Sequence, residues 1–419
     1  MPVMPIEEWI EEHSSEGDAI WYVKRLSGND TGLTGGHQVG IYVPRPIAFE
    51  LFPAIDTVDK KNPRQNFDLM IDSHPASDVS QAKVVAIYYN ARRVPGETGT
   101  RNEVRITRFG GRQSPFQDVD NTSALTALVF RAGKDGQVRA NAWVCESVEE
   151  EDAIEGLVGP IDPGKAVRWS RQQPVGPLFG RLTRGTAPAA PVGRMSREEI
   201  PAAWINNFPS GQEIVDKTVE LFPGTGLDPD KRLVRRRDVE WEIFQSIERA
   251  GSMETVARGF EQFEEFLKFA NSVMQRRKSR SGNSLEFHVR HILGEEGLVE
   301  GVDFSFNARI EGGKKPDFLF PNKGRYEDPE HPATELRILA AKTTLRDRWR
   351  QIMREADRIP LKHAITLQEG LSDNQFREMR EAGLQLVVPV PLWSKYPQGI
   401  RDELWSLERF IAEARALRK

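Results

Sequence analysis

Two segments indicate the fold of the C-terminal half: KKPDFLFP, residues 314–321, and LRILAAK, residues 336–342. Each joins a short apolar run to a charged residue, as in a buried strand whose end reaches a functional surface. Asp317 precedes the first run, and Lys342 ends the second. The pattern predicts two strands that present a carboxylate and an amine side by side.

The sequence around these two runs predicts an α/β domain. Long helical patterns come before them, and two further apolar runs follow them. The helical patterns are DVEWEIFQSIERA (238–250), GFEQFEEFLKFANSVMQRR (259–277) and SLEFHVRHILGEEG (284–297), and the further runs are KHAITL (362–367) and LQLVVPVP (384–391).

The N-terminal half has a different pattern, in which short runs rich in Val, Ile, Tyr, Trp and Phe alternate with turn residues between 19 and about 147. This pattern is typical of a sandwich or barrel. Residues 172–200 collect Pro, Gly, Ala and Thr without apolar periodicity, as linkers do. We therefore expect a β-rich domain at 1–171, a linker at 172–200 and an α/β domain at 201–419.

Composition sets broad limits on function. The 419 residues are 38% hydrophobic and 29% charged, which is ordinary for a globular protein, and the net charge of -4 gives no overall attraction to nucleic acid. The single cysteine, Cys145, excludes intramolecular disulfides and cysteine-cluster zinc sites. The first residues, MPVMPIEEWIEEH, are acidic where a secretory signal is basic, and no apolar run reaches the length of a membrane span. We expect a cytoplasmic protein.

Pro-Asp followed by an acid, any residue and a lysine is the signature of PD-(D/E)xK nucleases, in which carboxylates hold Mg²⁺ and the lysine assists the attacking water. Here Ala340 occupies the usual acidic position two residues before Lys342. A second carboxylate must come from elsewhere, and Glu355 and Glu286 are the candidates. The pattern is also compatible with a simple Pro-Asp turn, a solvated lysine and a surface glutamate.

The segment after Lys342 is rich in arginine. Thr344 and Asp347 resemble a capping box and predict a helix from 345 to Pro360. Cations in a first helical turn are unfavourable by about 0.3–1 kcal/mol, so Arg346 and Arg348 indicate compensation by an external partner. Arginine reads guanine and aspartate accepts from cytosine, so Arg-Asp-Arg suits G·C pairs, although a solvated charged face is an alternative.

Several segments, in order, resemble the EcoRII family of type II restriction endonucleases. In the C-terminal half they are NSVMQRRKSRSGNSLE (271–286), KKPDFLFP, KTTLRDRWRQI (342–352), ITLQEG (365–370) and REMREAGLQLVVP (377–389). In the N-terminal half they are VKRLSGNDTGLTGGHQVGIYVP (23–44), AIYYNARR (86–93), TRNEVRITR (100–108) and NTSALTAL (121–128).

The resemblance implies a homodimeric, Mg²⁺-dependent enzyme that cuts double-stranded DNA at a CC(A/T)GG-like site. It implies a PD-(D/E)xK catalytic domain and an N-terminal B3-like pseudobarrel that binds a second, effector copy of the site. It also implies autoinhibition and a cognate DNA cytosine methyltransferase. By position it assigns catalysis to Asp317, Lys342, Glu355, Glu286 and Tyr326, with Asp317 and Glu355 as metal ligands. DNA contacts fall on Arg346, Asp347, Arg348, His37, Arg101, Asn102, Glu103, Arg105 and Arg108.

Three classes of function follow from these observations. The first is a restriction endonuclease activated by a second copy of its site. The second is a non-cleaving DNA-binding regulator, which the B3-like half alone would permit. The third is an enzyme acting on a small phosphate ester. The set of Asp317, Lys342 and Glu355 disfavours the second class, and the Arg-Asp-Arg segment disfavours the third.

Overall fold

The structure is a computed structural model that describes residues 4–35, 39–75, 77–133, 137–171 and 192–417. The chain divides into two compact units, each drawn mainly from one half of the sequence, although residues 369–372 and 395–397 are grouped with the first unit. Most of the predicted linker, residues 172–191, lies outside the described residues, so the expected domain boundaries stay a prediction. Ile200, at the end of that segment, is buried in an apolar cluster of the second unit.

The first unit is built around one large sheet. Its described strands are β1 (Ile20–Arg25), β2 (Ile41–Val43), β3 (Arg64–Ile71), β4 (Gln81–Tyr89), β5 (Glu103–Thr107), β6 (Leu125–Ala132), β7 (Val138–Val144) and β8 (Ala166–Ser170). Its described helices are α1 (Ile6–Ser15), α2 (Gly28–Thr31), α3 (Arg45–Leu51) and α4 (Val148–Val158).

The strand order is β2-β5-β4-β3-β7-β6-β1-β8, with β3 and β7 parallel and the other pairs antiparallel. The curled sheet buries both faces. One face packs against Ile47 and Leu51 of α3, and the other packs against Trp9 of α1 and Ile154 of α4. Such a sheet needs apolar residues on both sides of its strands, which explains their near-continuous apolar runs.

The apolar runs between 19 and about 147 coincide with six of these eight described strands, and the predicted β-rich fold of this half is confirmed. In β5, Val104 and Ile106 are buried while Arg105 and Thr107 are partly exposed, as the alternation indicated. The strands β3 and β8 were missed. Arg64–Ile71 reads RQNFDLMI, whose polar residues dilute the apolar pattern.

The second unit surrounds a smaller sheet with helices. Its described strands are β9 (Ser305–Phe306), β10 (Phe318–Phe320), β11 (Arg337–Ala341), β12 (Lys362–Ile365) and β13 (Leu384–Val387). Its described helices are α5 (Ala202–Asn206), α6 (Gly211–Leu221), α7 (Pro229–Arg258), α8 (Phe263–Glu295), α9 (Lys323–Glu327), α10 (Trp349–Ile352), α11 (Asp373–Glu381), α12 (Gln398–Arg401) and α13 (Leu407–Ala416).

The order in this sheet is β13-β12-β11-β10-β9. β10 is antiparallel to β9 and β11, and β12 is parallel to β11 and β13. Leu285 and Val289 of α8 share an apolar cluster with Phe318 of β10 and Leu339 of β11. This packing brings α8 beside the strands that carry Asp317 and Lys342. Across the described part of the chain, no helix is both long and apolar enough to cross a membrane.

The predicted helix from 345 to 360 is wrong in extent and in capping. Arg346–Arg348 form one 3₁₀ turn, and α10 ends at Ile352. No side-chain cap is formed at its start, and Ala356 has a left-handed φ of +48°. Such a backbone cannot continue a helix. So short a helix has little dipole to oppose a cation, so the helix dipole does not disfavour Arg346 and Arg348 here.

Candidate active site

Asp317 and Lys342 meet where two antiparallel strands lie side by side. Asp317 immediately precedes β10, and Lys342 immediately follows β11. The Lys342 ammonium donates to Asp317 Oδ2 at 2.8 Å, and the Ala341 backbone N–H donates to the same oxygen at 2.7 Å. Burial alone would lower the pKa of Lys342, but the carboxylates of Asp317, Glu286 and Glu355 together outweigh this and the pKa is raised. Lys342 is therefore a cation at neutral pH.

Glu286 reaches the same site from α8. Its Oε2 accepts a hydrogen bond from Asn307 Nδ2 at 3.2 Å, and the Asn307 backbone N–H donates to the Asp317 carbonyl at 2.9 Å. Burial, together with the nearby Asp317 carboxylate, raises the pKa of Glu286 to about 7. Near neutral pH this group can therefore either hold or release a proton.

Glu355 approaches from the turn after α10. Burial and the negative charge of Asp317 raise its pKa to about 7, while Lys342 partly offsets both effects. Glu355 Oε2 is buried and has no hydrogen-bond partner within the described structure. A buried carboxylate oxygen without a donor is unfavourable, so Glu355 is prepared for a ligand that supplies positive charge.

These side chains fit a hard divalent cation. Three carboxylates, from Glu286, Asp317 and Glu355, act electrostatically on one another and on Lys342. Oxygen donors of this kind suit Mg²⁺, and the unpartnered oxygen of Glu355 is the observation that favours such an ion. The described side chains do not form a closed cluster of three or more His, Cys, Asp or Glu residues of the kind that encloses a metal.

Tyr326 is linked to the segment that carries Glu355 through the side chain of Glu311. Its hydroxyl donates to Glu311 Oε1 at 2.6 Å, and the Asp357 backbone N–H donates to the same oxygen at 3.0 Å. Burial and this hydrogen bond raise the pKa of Tyr326 well above its usual range. Tyr326 thus remains protonated and, through Glu311, holds the backbone two residues after Glu355.

The Arg-Asp-Arg segment follows Lys342 directly. The Leu345 backbone N–H donates to the buried side chain of Gln368 at 2.9 Å, which ties the segment to the residues after β12. Asp347 is exposed and pairs with Arg350 at 3.0 Å. Arg348 is partly exposed and makes no ion pair with any residue that the structure describes.

In the first unit, Asn102 is fixed from two sides. Its Oδ1 accepts from Arg45 Nη1 at 3.1 Å and from the Tyr88 hydroxyl at 2.8 Å. Arg101 is exposed, and its guanidinium lies 5.7 Å from the centre of the Tyr89 ring. These contacts leave the Asn102 amide group as a hydrogen-bond donor beside an exposed cation.

The other predicted effector contacts lie on or near β5. Arg105 Nε donates to Glu103 Oε1 at 3.1 Å, and its Nη1 donates to the Gly40 carbonyl at 3.2 Å. Arg108 is exposed and has a φ of +69°, so it leaves the strand at a sharp turn. His37 lies outside the described residues. The structure thus places Glu103 and Arg105 on β5 and Asn102 immediately before it.

Two residues at the catalytic site were missed by the sequence analysis. Asn307 contacts both Glu286 and the backbone of Asp317, and nothing in its local sequence distinguishes it from a loop asparagine. Lys362 is a buried lysine and the first residue of β12, which follows the turn that carries Glu355. A lysine that opens an otherwise apolar strand was a signal that could have been used.

Comparisons with known proteins agree with this two-part arrangement. Residues 244–411 match the family described as EcoRII C terminal, and residues 15–173 match Restriction endonuclease EcoRII, N-terminal. The chain is 44% identical to the Type II restriction enzyme EcoRII of Escherichia coli over 411 residues, which covers 98% of this chain and 97% of that enzyme.

Two solved structures align with parts of this chain. Ecl18kI, metal-depleted and in complex with uncleaved, modified DNA, aligns with a TM-score of 0.41 and 19% identity, covering 54% of this chain and 85% of that one. The B3 domain of the UbaLAI restriction endonuclease, with cognate DNA, aligns with a TM-score of 0.27 and 20% identity, covering 39% of this chain and 97% of that one.

Proposed function

The chain belongs to the EcoRII family of type II restriction endonucleases, and on that premise we propose that it cleaves double-stranded DNA at a CC(A/T)GG-like site with Mg²⁺ as its metal ion. Membership makes it a site-specific deoxyribonuclease and implies dependence on a divalent metal ion. The observation that carries the proposal is the Asp317–Lys342 ion pair beside two carboxylates of raised pKa.

The proposed chemistry is hydrolysis of a phosphodiester bond. Asp317 and Glu355 would hold Mg²⁺, which supplies Lewis-acid chemistry when bound. Lys342, a cation at neutral pH, orients the attacking water and stabilises negative charge on the phosphate. Glu286, whose pKa is about 7, accepts the proton of the attacking water as the new oxygen–phosphorus bond forms, and the departing sugar oxygen takes up a proton from solvent as its bond to phosphorus breaks. Tyr326 acts through Glu311 as a positioning residue.

Recognition is assigned to the segment after the catalytic lysine. Arg346 and Arg348 would donate to guanine edges, and Asp347 would accept from a cytosine amine, in the outer C·G pairs of the site. The free charge of Arg348 supports this assignment, since within the described structure no carboxylate neutralises it. The tie between Leu345 and Gln368 would keep the reading residues in register with Lys342.

The first unit is proposed to bind a second copy of the site as an effector. Asn102, with its oxygen occupied, would donate to a base or phosphate acceptor. Arg101, Arg105 and Arg108 would supply cations along the same surface, together with His37 and Glu103. In this proposal the first unit inhibits cleavage by the second unit until the first unit binds effector DNA, which is autoinhibition. The enzyme would act as a homodimer in the cytoplasm, beside a cognate DNA cytosine methyltransferase.

The alternative was a non-cleaving DNA-binding regulator. The N-terminal half of such a regulator would be the same, but it would have no need for three carboxylates around Lys342. Identity of 44% to a restriction enzyme over almost the whole chain favours the nuclease.

Two experiments test the proposal with the full-length protein. Sequencing the ends of digested plasmid DNA identifies the site and the positions of the cuts, and digestion only at unrelated sequences would contradict the CC(A/T)GG assignment. A plasmid with one site should be cut slowly, and a short duplex carrying the site should accelerate cutting. Equal rates with and without the duplex would contradict effector activation while leaving the nuclease activity intact.

A further inference from the structure

Lys362 is a buried lysine whose ammonium contacts only neutral backbone groups among its hydrogen-bond acceptors. The residue is 4% exposed, and Nζ donates to the Ile359 carbonyl at 2.7 Å and to the Ala356 carbonyl at 3.2 Å. Both carbonyls belong to the segment between Glu355 and β12. The lysine thus bridges the end of the turn to its beginning.

This arrangement is costly for stability alone. Removing an ammonium from water is unfavourable, and carbonyl acceptors compensate less than a carboxylate would. Burial accordingly lowers the pKa of Lys362, although Asp357 and Glu355 partly offset the effect. A methionine of similar length would fill the space without burying a charge. The cation therefore needs an explanation beyond packing.

The Ala356 and Ile359 carbonyls show which part of the chain the Lys362 ammonium holds in place, namely the turn that follows Glu355. Ala356 directly follows Glu355 and has a left-handed φ of +48°, which an L-residue rarely adopts without support. The Ile359 N–H donates back to the Ala356 carbonyl at 2.9 Å, so the turn closes on the atom that Lys362 binds. The backbone at Ala356 sets the direction in which the neighbouring Glu355 side chain leaves the chain.

The opposite side of the same turn is held by Glu311, which accepts from the Asp357 N–H. Lys314 also pairs with the Asp357 carboxylate at 2.6 Å, but that carboxylate is exposed. Of these contacts, the one from Lys362 comes from within the sheet, because Lys362 pairs with Leu384 of β13. Lys362 therefore joins the Glu355 turn to the rigid part of the unit.

We propose that Lys362 is a positioning residue that fixes the Glu355 turn and thereby directs the displaced catalytic carboxylate to the metal site. The inference rests on the role given to Glu355 in the proposed function. In most enzymes with a PD-(D/E)xK pattern the strand itself holds the second acid, whereas here Ala340 occupies that place. An acid carried on a turn needs a separate support, and Lys362 supplies it.

The test compares Lys362→Met, which removes the ammonium, with Lys362→Arg, which keeps a cation. Lys231→Met is the matched control, because the Lys231 side chain is 59% exposed at the start of α7. Single-turnover cleavage of a duplex carrying the site is measured against Mg²⁺ concentration. Calorimetric titration of Ca²⁺ into the enzyme–duplex complex reports metal binding without cleavage, and thermal unfolding reports stability.

For Lys362→Met we expect the half-saturating Mg²⁺ concentration to rise at least about tenfold, with Ca²⁺ affinity reduced to match. Duplex affinity in EDTA and the unfolding temperature should stay at the wild-type level, and Lys362→Arg should restore most of the metal affinity. Wild-type metal dependence in Lys362→Met overturns the inference. The inference is also overturned if Lys362→Met loses metal affinity only because part of the protein is unfolded. In that case the variant would bind metal with full affinity at a lower temperature, where it is folded.

Glu355→Ala separates this inference from the proposed function. If Glu355→Ala cleaves like the wild type, the role of Glu355 is wrong and the inference falls with it. If Glu355→Ala is inactive but Lys362→Met is normal, only the inference about Lys362 is wrong. In the Glu355→Ala background, Lys362→Met should cause no further loss of Ca²⁺ affinity, because both changes remove the same ligand.

Discussion

The charged groups around Lys24 and Arg25 in the first unit are paired differently from those at the candidate active site of the second unit. In the first unit, the Arg25 guanidinium donates to Glu151 at 2.7 Å and to Glu155 at 2.9 Å, and Lys24 pairs with Asp30 at 2.5 Å. At the candidate active site of the second unit, three carboxylates surround Lys342, and Glu355 Oε2 has no partner within the described structure. We call the first set closed, because each of its carboxylates contacts a cation, and the second open, because Glu355 Oε2 contacts none within the described structure.

Depth of burial does not explain this difference. Glu240 of α7 is fully buried in the second unit, yet Arg237 and Arg280 hold its pKa well below the usual range, although burial alone would raise it. The pKa of the less buried Glu355 is raised to about 7. Neutralisation by neighbours distinguishes a structural ion pair from a site that awaits a ligand.

The largest expected effect is the loss of cleavage when a carboxylate of the open set is removed. Asp317→Ala should reduce cleavage by at least about three orders of magnitude, as is typical when one member of a catalytic unit is removed. Specific DNA binding should survive, because recognition is assigned to other residues. Rates on a duplex carrying the site, with the exposed Asp402→Ala as control, check this. Substantial Mg²⁺-dependent cutting by Asp317→Ala would show that the assignment is wrong.

Breaking a closed set should instead affect stability. Arg25→Met leaves Glu151 and Glu155 buried without their cation, which should cost about 3–5 kcal/mol of unfolding free energy. Lys61→Met, which breaks an exposed ion pair of 2.7 Å with Glu97, should cost less than about 1 kcal/mol. Urea unfolding measures both. Similar losses in the two variants would remove the distinction between closed and exposed pairs.

Arg348 is an open charge of a different kind, because it is partly exposed and its proposed partner is a base. Arg348→Ala should weaken discrimination at one G·C pair by about 1–3 kcal/mol. Affinities for duplexes with single-pair changes measure this. A uniform loss over all duplexes, with a shallower dependence on salt, would instead assign Arg348 to a phosphate.

The smallest effect concerns pH in the absence of metal. Because the pKa of Glu355 is raised from its usual 4.5 to about 7 in the folded protein, ionising it opposes folding. The wild type should lose stability as pH rises from about 4.5 through 7. Glu355→Gln should match it at pH 4.5 and exceed it at pH 8 by about 1–2 kcal/mol, a range reduced for solvent screening. Parallel unfolding curves with equal stability at pH 8 would contradict the raised pKa.

The sequence was sufficient for the elements and for part of the site. Apolar runs identified the four main strands of the catalytic sheet, and Asp317 and Lys342 at the ends of two of them form the ion pair that was predicted. Long helical patterns identified α7 and α8, although two predicted helices are one continuous helix. These features depend on local periodicity and on adjacency along the chain, which a sequence displays directly.

Contacts between distant segments were decided only by the tertiary structure. The sequence offered Glu355 as a candidate but placed it on a helix that ends three residues earlier. Its raised pKa, the Asn307 contact to Glu286, and the support from Lys362 arise because α8, β10, β11 and the turn after α10 meet in one place. Burial and charge at a point sum over all neighbouring segments, so no single stretch of sequence contains them.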